Sequence, residues 1–361
     1  MLRKILSNVV LVFLVSFTLS CSATEAQVAE EPVEEEIIIS EYKGGKMSNI
    51  KKVILDVDPG RDDAIAIMLA VLSPKIELIG ITTVNGNRPV WECTENALRV
   101  IDLIEANVPV FEGSSLPLLV HLYKNRRPPI PRLKPCPIEG GLLEIPKAVS
   151  KKQSQGAVDW LIETIMESDG DIILVPLGPM TNIALAIRIE PRIIEKIQEI
   201  VFMGGSAESG NVTPYAEFNI WMDPEAAKIV LNSGIKKITM VGLNVTHKAL
   251  ISSDECDALH DIGTKASMAS ANFIKKRITG GEIQGQNAAP VHDALAVASI
   301  IDDAVIKTRL CNVDVETLPG VTDGRTVCDF NNEKRNNVHV AIKVNRNIFY
   351  KILIDVLSLS I

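Results

Sequence analysis

Residues 48–361 predict a single α/β domain, a mostly parallel sheet with helices on both faces. Two observations predict it. Short, nearly all-apolar runs recur, as strands buried on both faces of a parallel sheet do. Stretches of helical length separate them in regular alternation, and no repeat or internal linker divides the series.

The elements follow in order. Val53–Val57 reads as a buried strand. Asp63–Leu72 (DAIAIMLAVL) reads as a helix stopped by Ser73-Pro74, and the β-branched Glu77–Thr82 as a second strand. Glu92–Glu105 and Val158–Glu167 are helical, and Ile172–Pro176 (IILVP) is a strand. Asn182–Arg188 is a helix, Glu199–Met203 a strand, Pro224–Leu231 a helix and Lys237–Val241 a strand.

Composition narrows the function. The chain has 361 residues, is 47% hydrophobic and carries a net charge of −8. It shows no basic stripe, which excludes a nucleic-acid polymer as partner and leaves a small neutral or anionic substrate. None of the six cysteines forms a Cys-x-x-Cys pair, so a zinc ribbon or thioredoxin-like site is excluded. Cys93, Cys136, Cys256, Cys311 and Cys328 are expected as buried thiols.

The remaining cysteine, Cys21, ends a leader. Arg3 and Lys4 precede an apolar stretch from Leu11 to Leu19, too short to span a bilayer and of the form of a secretory signal. Thr18-Leu19-Ser20-Cys21 resembles a bacterial lipobox, although Thr18 stands where Leu is usual. Residues 1–21 are thus expected as a signal peptide and 22–47, rich in Glu, as a flexible acidic tether. The protein is then exported, periplasmic or membrane-tethered through Cys21, in a bacterium. An ordinary signal peptide, or a start at Met47, is the plainer alternative.

In open α/β sheets ligands sit beyond the carboxyl ends of the strands. After the first strand stands Asp56-Val57-Asp58-Pro59-Gly60-Arg61-Asp62-Asp63, with four carboxylates in eight residues. Pro59-Gly60 turns the chain, and Asp62 and Asp63 open the helix, where its dipole tolerates negative charge. An acidic N-cap accounts for one or two of these residues. Four together repel one another, and a hard cation held by oxygen ligands relieves that repulsion. The segment is not an EF-hand, because Arg61 and Ile67 occupy the positions that require Gly and Glu. An Asp-x-Asp phosphohydrolase normally continues with a small residue and Thr, and here Pro59-Gly60-Arg61 follows.

Asp56–Asp63 resembles the Asp-x-Asp-Pro-Gly-x-Asp-Asp fingerprint of the inosine–uridine-preferring nucleoside hydrolases. Thr82–Asn87, Val175–Asn182, Met203-Gly204-Gly205, Ala216–Asn219, Asp223–Ala226 and Val291-His292-Asp293 follow in the family's order, so the resemblance spans almost all of residues 50–355. It implies a Rossmann-like mixed sheet, a homodimer or homotetramer, and one Ca²⁺ below a ribose pocket. By position, the carboxylates of Asp58, Asp63 and Asp293 and the carbonyl of Leu177 are the implied metal ligands. Asp58 is the implied base towards the attacking water and His292 the acid towards the leaving base. Asp62 and Asn87 are implied to hold the 2′- and 3′-hydroxyls, and Asn211, Glu217 and Asn219 the other sugar oxygens, with Met203 packed on the sugar. An extended Glu217–Asn219 would point both polar side chains to one side. His247 is expected as a structural residue.

Two departures concern the base side. The family's loop His-Gly pair is replaced by Pro135–Gly141 without His, and Thr279–Pro290 lacks the tyrosines that stack on the base. The implied activity is hydrolysis of the N-glycosidic bond of ribonucleosides, with the preferred base open. The alternatives are a calcium-dependent nucleoside- or sugar-binding lipoprotein without turnover, and the Asp-x-Asp phosphohydrolase.

Overall fold

The computed structural model describes residues 50–119, 122, 142–281, 283, 285–331 and 335–360. The expected signal peptide, the tether, Cys21, Cys136 and nearly all of the loop between His121 and Pro137 lie outside them.

Among the described residues, the chain opens with β1 (Lys51–Val57), α1 (Arg61–Leu72), β2 (Ile76–Thr83), α2 (Val90–Leu103), β3 (Val110–Glu112) and α3 (Ala157–Glu167). It continues through β4 (Ile172–Pro176), α4 (Thr181–Ile189), α5 (Ile193–Lys196), β5 (Ile197–Met203), α6 (Phe218–Met222), α7 (Pro224–Leu231) and β6 (Ile238–Val241). Then follow α8 (Leu243–Thr246), β7 (Leu250–Ser252), α9 (Ser253–Asp261), α10 (Lys265–Gly280), β8 (Ala288–Pro290) and α11 (His292–Ile301). The last elements are β9 (Ile306–Val315), β10 (Thr326–Asp329), β11 (Val338–Val344) and α12 (Arg346–Leu357).

Nine strands form one sheet in the order β10-β9-β11-β6-β5-β4-β1-β2-β3, and β7 and β8 form a small antiparallel pair. Pairing is parallel from β3 across to β11 and antiparallel at β11–β9 and β9–β10. The sheet is therefore mixed and mostly parallel, Rossmann-like, as expected. Strand β1 alternates its side chains between two cores. Val53, Leu55 and Val57 join the core under α1, α2 and α10–α12, and Ile54 the core under α3, α4 and α7. The chain leaves β1 towards β2 and β3, then returns to build β4, β5 and β6 on the other side. The switch point between β1 and β4 is where such sheets hold ligands.

The expected strands and helices all form, with shifted ends. Helix α1 starts at Arg61 rather than Asp63, because the Asp63 carboxylate accepts the Gly60 N–H (3.0 Å) and closes the first turn earlier. One expectation is corrected: Glu217–Asn219 is not an extended run. Glu217 alone is extended, and its carboxylate caps α6 by accepting the N–H groups of Asn219 and Ile220. Among the described cysteines, Cys93, Cys256 and Cys311 are buried, as expected, and Cys328 is half-buried. No helix among the described residues is long and apolar enough to cross a membrane.

Candidate active site

The acidic segment spans the switch point. Asp56, the sixth residue of β1, is buried, and its Oδ1 accepts the Thr82 hydroxyl (2.6 Å) and the Asn182 amide (2.7 Å). Its Oδ2 has no partner, and burial pushes the carboxyl up to about 7. Asn182 also donates to the Thr83 carbonyl and accepts the Ser114 N–H, so Asp56 ties β1, β2 and α4 together.

Asp58 follows β1 and is fully buried. Its Oδ2 accepts the Asn87 N–H at 2.6 Å, and its own N–H donates to Asp63 Oδ1 at 3.3 Å. Glycines wall it in. A Cβ on Gly86 would lie 1.9 Å from Asp58 Oδ2, and one on Gly178 would lie 2.6 Å from Oδ1. Only glycine leaves room for the carboxylate at these two positions.

Asp62 and Asp63, in the first turn of α1, meet Asp293, in the first turn of α11. All three are buried, and one carboxylate oxygen from each lies within 4.8 Å of the others. Burial drives the Asp293 carboxyl well above the usual range, and the neighbouring Asp62, Asp63 and Asp58 add to the rise, while Arg277 opposes it. Such crowding of like charge fits a divalent cation. The donors are hard oxygens, as Ca²⁺ or Mg²⁺ require. Asp62 also receives Nη1 of Arg277 at 2.8 Å.

Above the carboxylates lies a pocket of about 430 Å³. Of the residues singled out in the sequence, Asp62, Asn87, Leu177, Met203, Asn211, Glu217, Asn219, His292 and Asp293 line it. Asp58 and Asp63 do not line it; their hydrogen bonds fix them to Asn87 and Gly60 beneath. Asn219 donates to the carbonyls of Leu177 (2.7 Å) and Met203 (3.1 Å), joining the ends of β4 and β5. The Glu217 carboxylate also accepts the Gly205 N–H at 2.8 Å; burial raises its pKa, and these backbone donors limit the rise. Asn211 is exposed on the loop before α6, and its Oδ1 accepts the Phe218 N–H at 3.0 Å. A larger groove, about 720 Å³ between α4 and α7, contains none of these residues.

His292 opens α11, and its Nδ1 lies 2.7 Å from the Thr246 hydroxyl. Two of the lining residues with ionisable side chains were not expected there. His247 brings its ring centroid to 5.5 Å from that of His292, at the pocket wall. Arg277 ends a Lys-Lys-Arg run. It follows the buried Phe273 and Ile274 by four and three residues, so helical periodicity already set it on the apolar face. For His247 the signal was its position just past β6, at the ligand-binding end of the sheet.

Fold and site together define a Rossmann-like α/β protein with a buried carboxylate cluster beside a pocket for a small polar ligand. Comparison with known proteins makes this specific: residues 53–351 match the inosine-uridine preferring nucleoside hydrolases, and the chain belongs to that family. It is 40% identical over 280 residues to the pyrimidine-specific ribonucleoside hydrolase RihB of Escherichia coli O17:K52:H18 (strain UMN026 / ExPEC), covering 77% of this chain and 87% of the relative. The purine-preferring ribonucleoside hydrolase from Gardnerella vaginalis superposes with a TM-score of 0.76 at 34% identity, covering 85% and 98% of the two chains. The plant nucleoside hydrolase PpNRh1 gives 0.78 at 29% identity, over 86% and 99%. The chain is an enzyme, a glycosidase of the nucleoside-hydrolase type with a small nucleoside substrate. The phosphohydrolase and turnover-free receptor readings give way to it.

Proposed function

We propose that the protein hydrolyses the N-glycosidic bond of ribonucleosides to free base and ribose, with Ca²⁺ held by Asp58, Asp63, Asp293 and the Leu177 carbonyl. The observation that carries this is the buried meeting of Asp62, Asp63 and Asp293 below a pocket that His292 also lines. The bound ion would supply positive charge that lets the carboxylates sit together and makes a nearby water easier to deprotonate.

The chain's own groups do the rest. Asp58, held by Asn87, accepts the proton of the attacking water. Asp62 and Asn87 bind the 2′- and 3′-hydroxyls, while Asn211, Glu217 and Asn219 bind the remaining sugar oxygens against Met203. As the bond to the base breaks, positive charge grows on the ribose, and the buried carboxylates stabilise it. His292 protonates the departing base, which leaves poorly as an anion. One water is consumed, its hydroxyl going to the ribose and a proton to the base.

The relatives differ in the bases their names specify, so no base preference transfers, and the base side of this pocket lacks the family's aromatic residues in Thr279–Pro290. On the same reading the chain is exported and lipidated at Cys21, and assembles as a homodimer or homotetramer. Loss of fatty-acid labelling in Cys21→Ser and sedimentation of the purified protein check these two points.

The deciding experiment follows free ribose from inosine, uridine, adenosine, guanosine, cytidine and nicotinamide riboside. Release is expected to vanish on chelation of Ca²⁺ and in Asp58→Asn. A folded, Ca²⁺-loaded protein that cuts none of the panel would overturn the proposal.

A further inference from the structure

The cluster geometry alone does not say which carboxylates serve the cation. Asp62, Asp63 and Asp293 each place an oxygen within 4.8 Å of the other two, so Asp62 is as well placed for an ion as its neighbours. Asp62 is in direct contact with a positive group. Arg277 comes from the last turn of α10, 215 residues along the chain, and sets Nη1 at 2.8 Å from Asp62 Oδ1. The two side chains are only 2% and 6% exposed. Removing a guanidinium from water costs several kcal/mol, which only contacts of close geometry repay. A carboxylate oxygen already in contact with a guanidinium is a poor place for a second cation, because the two positive charges repel across a short, poorly solvated distance.

We propose that Arg277 is a positioning residue that holds Asp62 for the sugar and keeps it out of the cation's ligand set, leaving Asp58, Asp63 and Asp293 to the ion. This rests on the proposed hydrolysis for the identity of the sugar. Arg277 lines the same pocket as Asp62, so the guanidinium acts at the wall where a hydroxyl would meet the carboxylate. A charge-assisted contact fixes direction as well as distance. Without it, Asp62 turns towards the ion, gains a metal contact and loses the substrate contact.

The test compares Arg277→Gln and Arg277→Lys with the unaltered full chain. Ca²⁺ binding is measured by calorimetry, D-ribose binding by competition, and cleavage by steady-state kinetics on a ribonucleoside and its 2′- and 3′-deoxy analogues. In Arg277→Gln, one Ca²⁺ is expected to bind at least as tightly, while KM and the ribose inhibition constant rise about tenfold or more, as for a lost hydrogen bond to a charged group. Discrimination against at least one deoxy analogue should shrink, and Arg277→Lys should restore part of each effect. Loss of Ca²⁺ binding with KM unchanged would make Asp62 a metal ligand and overturn the proposal. A lower melting temperature with unchanged KM, ribose affinity and discrimination would reduce Arg277 to a structural tie and overturn it equally. If Arg277→Gln does not fold, Asp62→Asn answers the same question, with Ca²⁺ affinity retained and ribose affinity lost. Should the unaltered protein cut no ribonucleoside, the hydrolysis reading fails by itself, and the calorimetric and ribose readings still decide the role of Arg277.

Discussion

The Thr246 hydroxyl lies 2.7 Å from Nδ1 of His292, and both side chains are buried. Thr246 ends the short α8 just past β6, while His292 opens α11, so the contact locks the ring between two elements. When the imidazole is charged, Nδ1–H donates to the hydroxyl and the other nitrogen keeps its proton for the leaving base.

Thr246→Val should therefore lower kcat on natural nucleosides about tenfold, the value of one buried hydrogen bond. Thr246→Ser should restore it. Cleavage of a nitrophenyl riboside, whose leaving group needs no proton, should be unchanged in both variants. An equal loss on both substrates would show that Thr246 does not act through the acid.

Gly86 and Gly178 should be intolerant of any side chain. A Cβ at either would fall within 2.6 Å of an Asp58 carboxylate oxygen, so the carboxylate must move. Gly178→Ala is expected to weaken Ca²⁺ binding at least about tenfold, as expected when a support of a metal ligand is disturbed. Calorimetry reads this directly, and unchanged affinity would mean that Asp58 is no ligand.

Asp56 should impose a pH dependence on stability. Burial raises its carboxyl in the folded protein to about 7, above the unfolded value near 3.8. The unfolded chain releases this proton first, so the fold loses stability as pH rises from about 4 to about 7. The loss is at most about 1.4 kcal/mol per pH unit, flat outside that window. Asp56→Asn imitates the protonated form and keeps the acceptor for Thr82 and Asn182. Urea midpoints in chelator at pH 5.5 and 8.5 should differ less for the variant than for the unaltered protein.

Asp223 belongs to a block that matches the family, yet its bonds are those of a cap. Its Oδ1 accepts the Ala226 N–H (3.1 Å), and its Oδ2 accepts the Leu118 N–H (2.9 Å) and the Thr181 hydroxyl (2.7 Å). Asp223→Ala should destabilise the protein by about 2–4 kcal/mol, combining a lost cap with buried donors left unmade. Ca²⁺ affinity should stay within about twofold, since a change of about 0.4 kcal/mol or less is expected. Thermal melts and calorimetry separate the two.

The sequence by itself determined the parallel core of the sheet and the acidic turn at its ligand-binding end. Both are local signals: apolar runs have a fixed period, and Asp56, Asp58, Asp62 and Asp63 share one strand-to-helix turn whose geometry follows from Pro59-Gly60. Past Val241 several elements give no periodic signal: α11 is buried all round, and β7, β8 and β10 are too short to show alternation. The extended reading of Glu217–Asn219 failed for a related reason: the cap from Glu217 supplies α6 with hydrogen bonds that no run of five residues displays. Only the tertiary structure decided that Arg277 meets Asp62 and Thr246 meets His292. These contacts join residues 215 and 46 positions apart. They exist because α10 and α11 pack against α1, while α8 follows β6 to the same end of the sheet. Chain folding, not spacing, sets such distances.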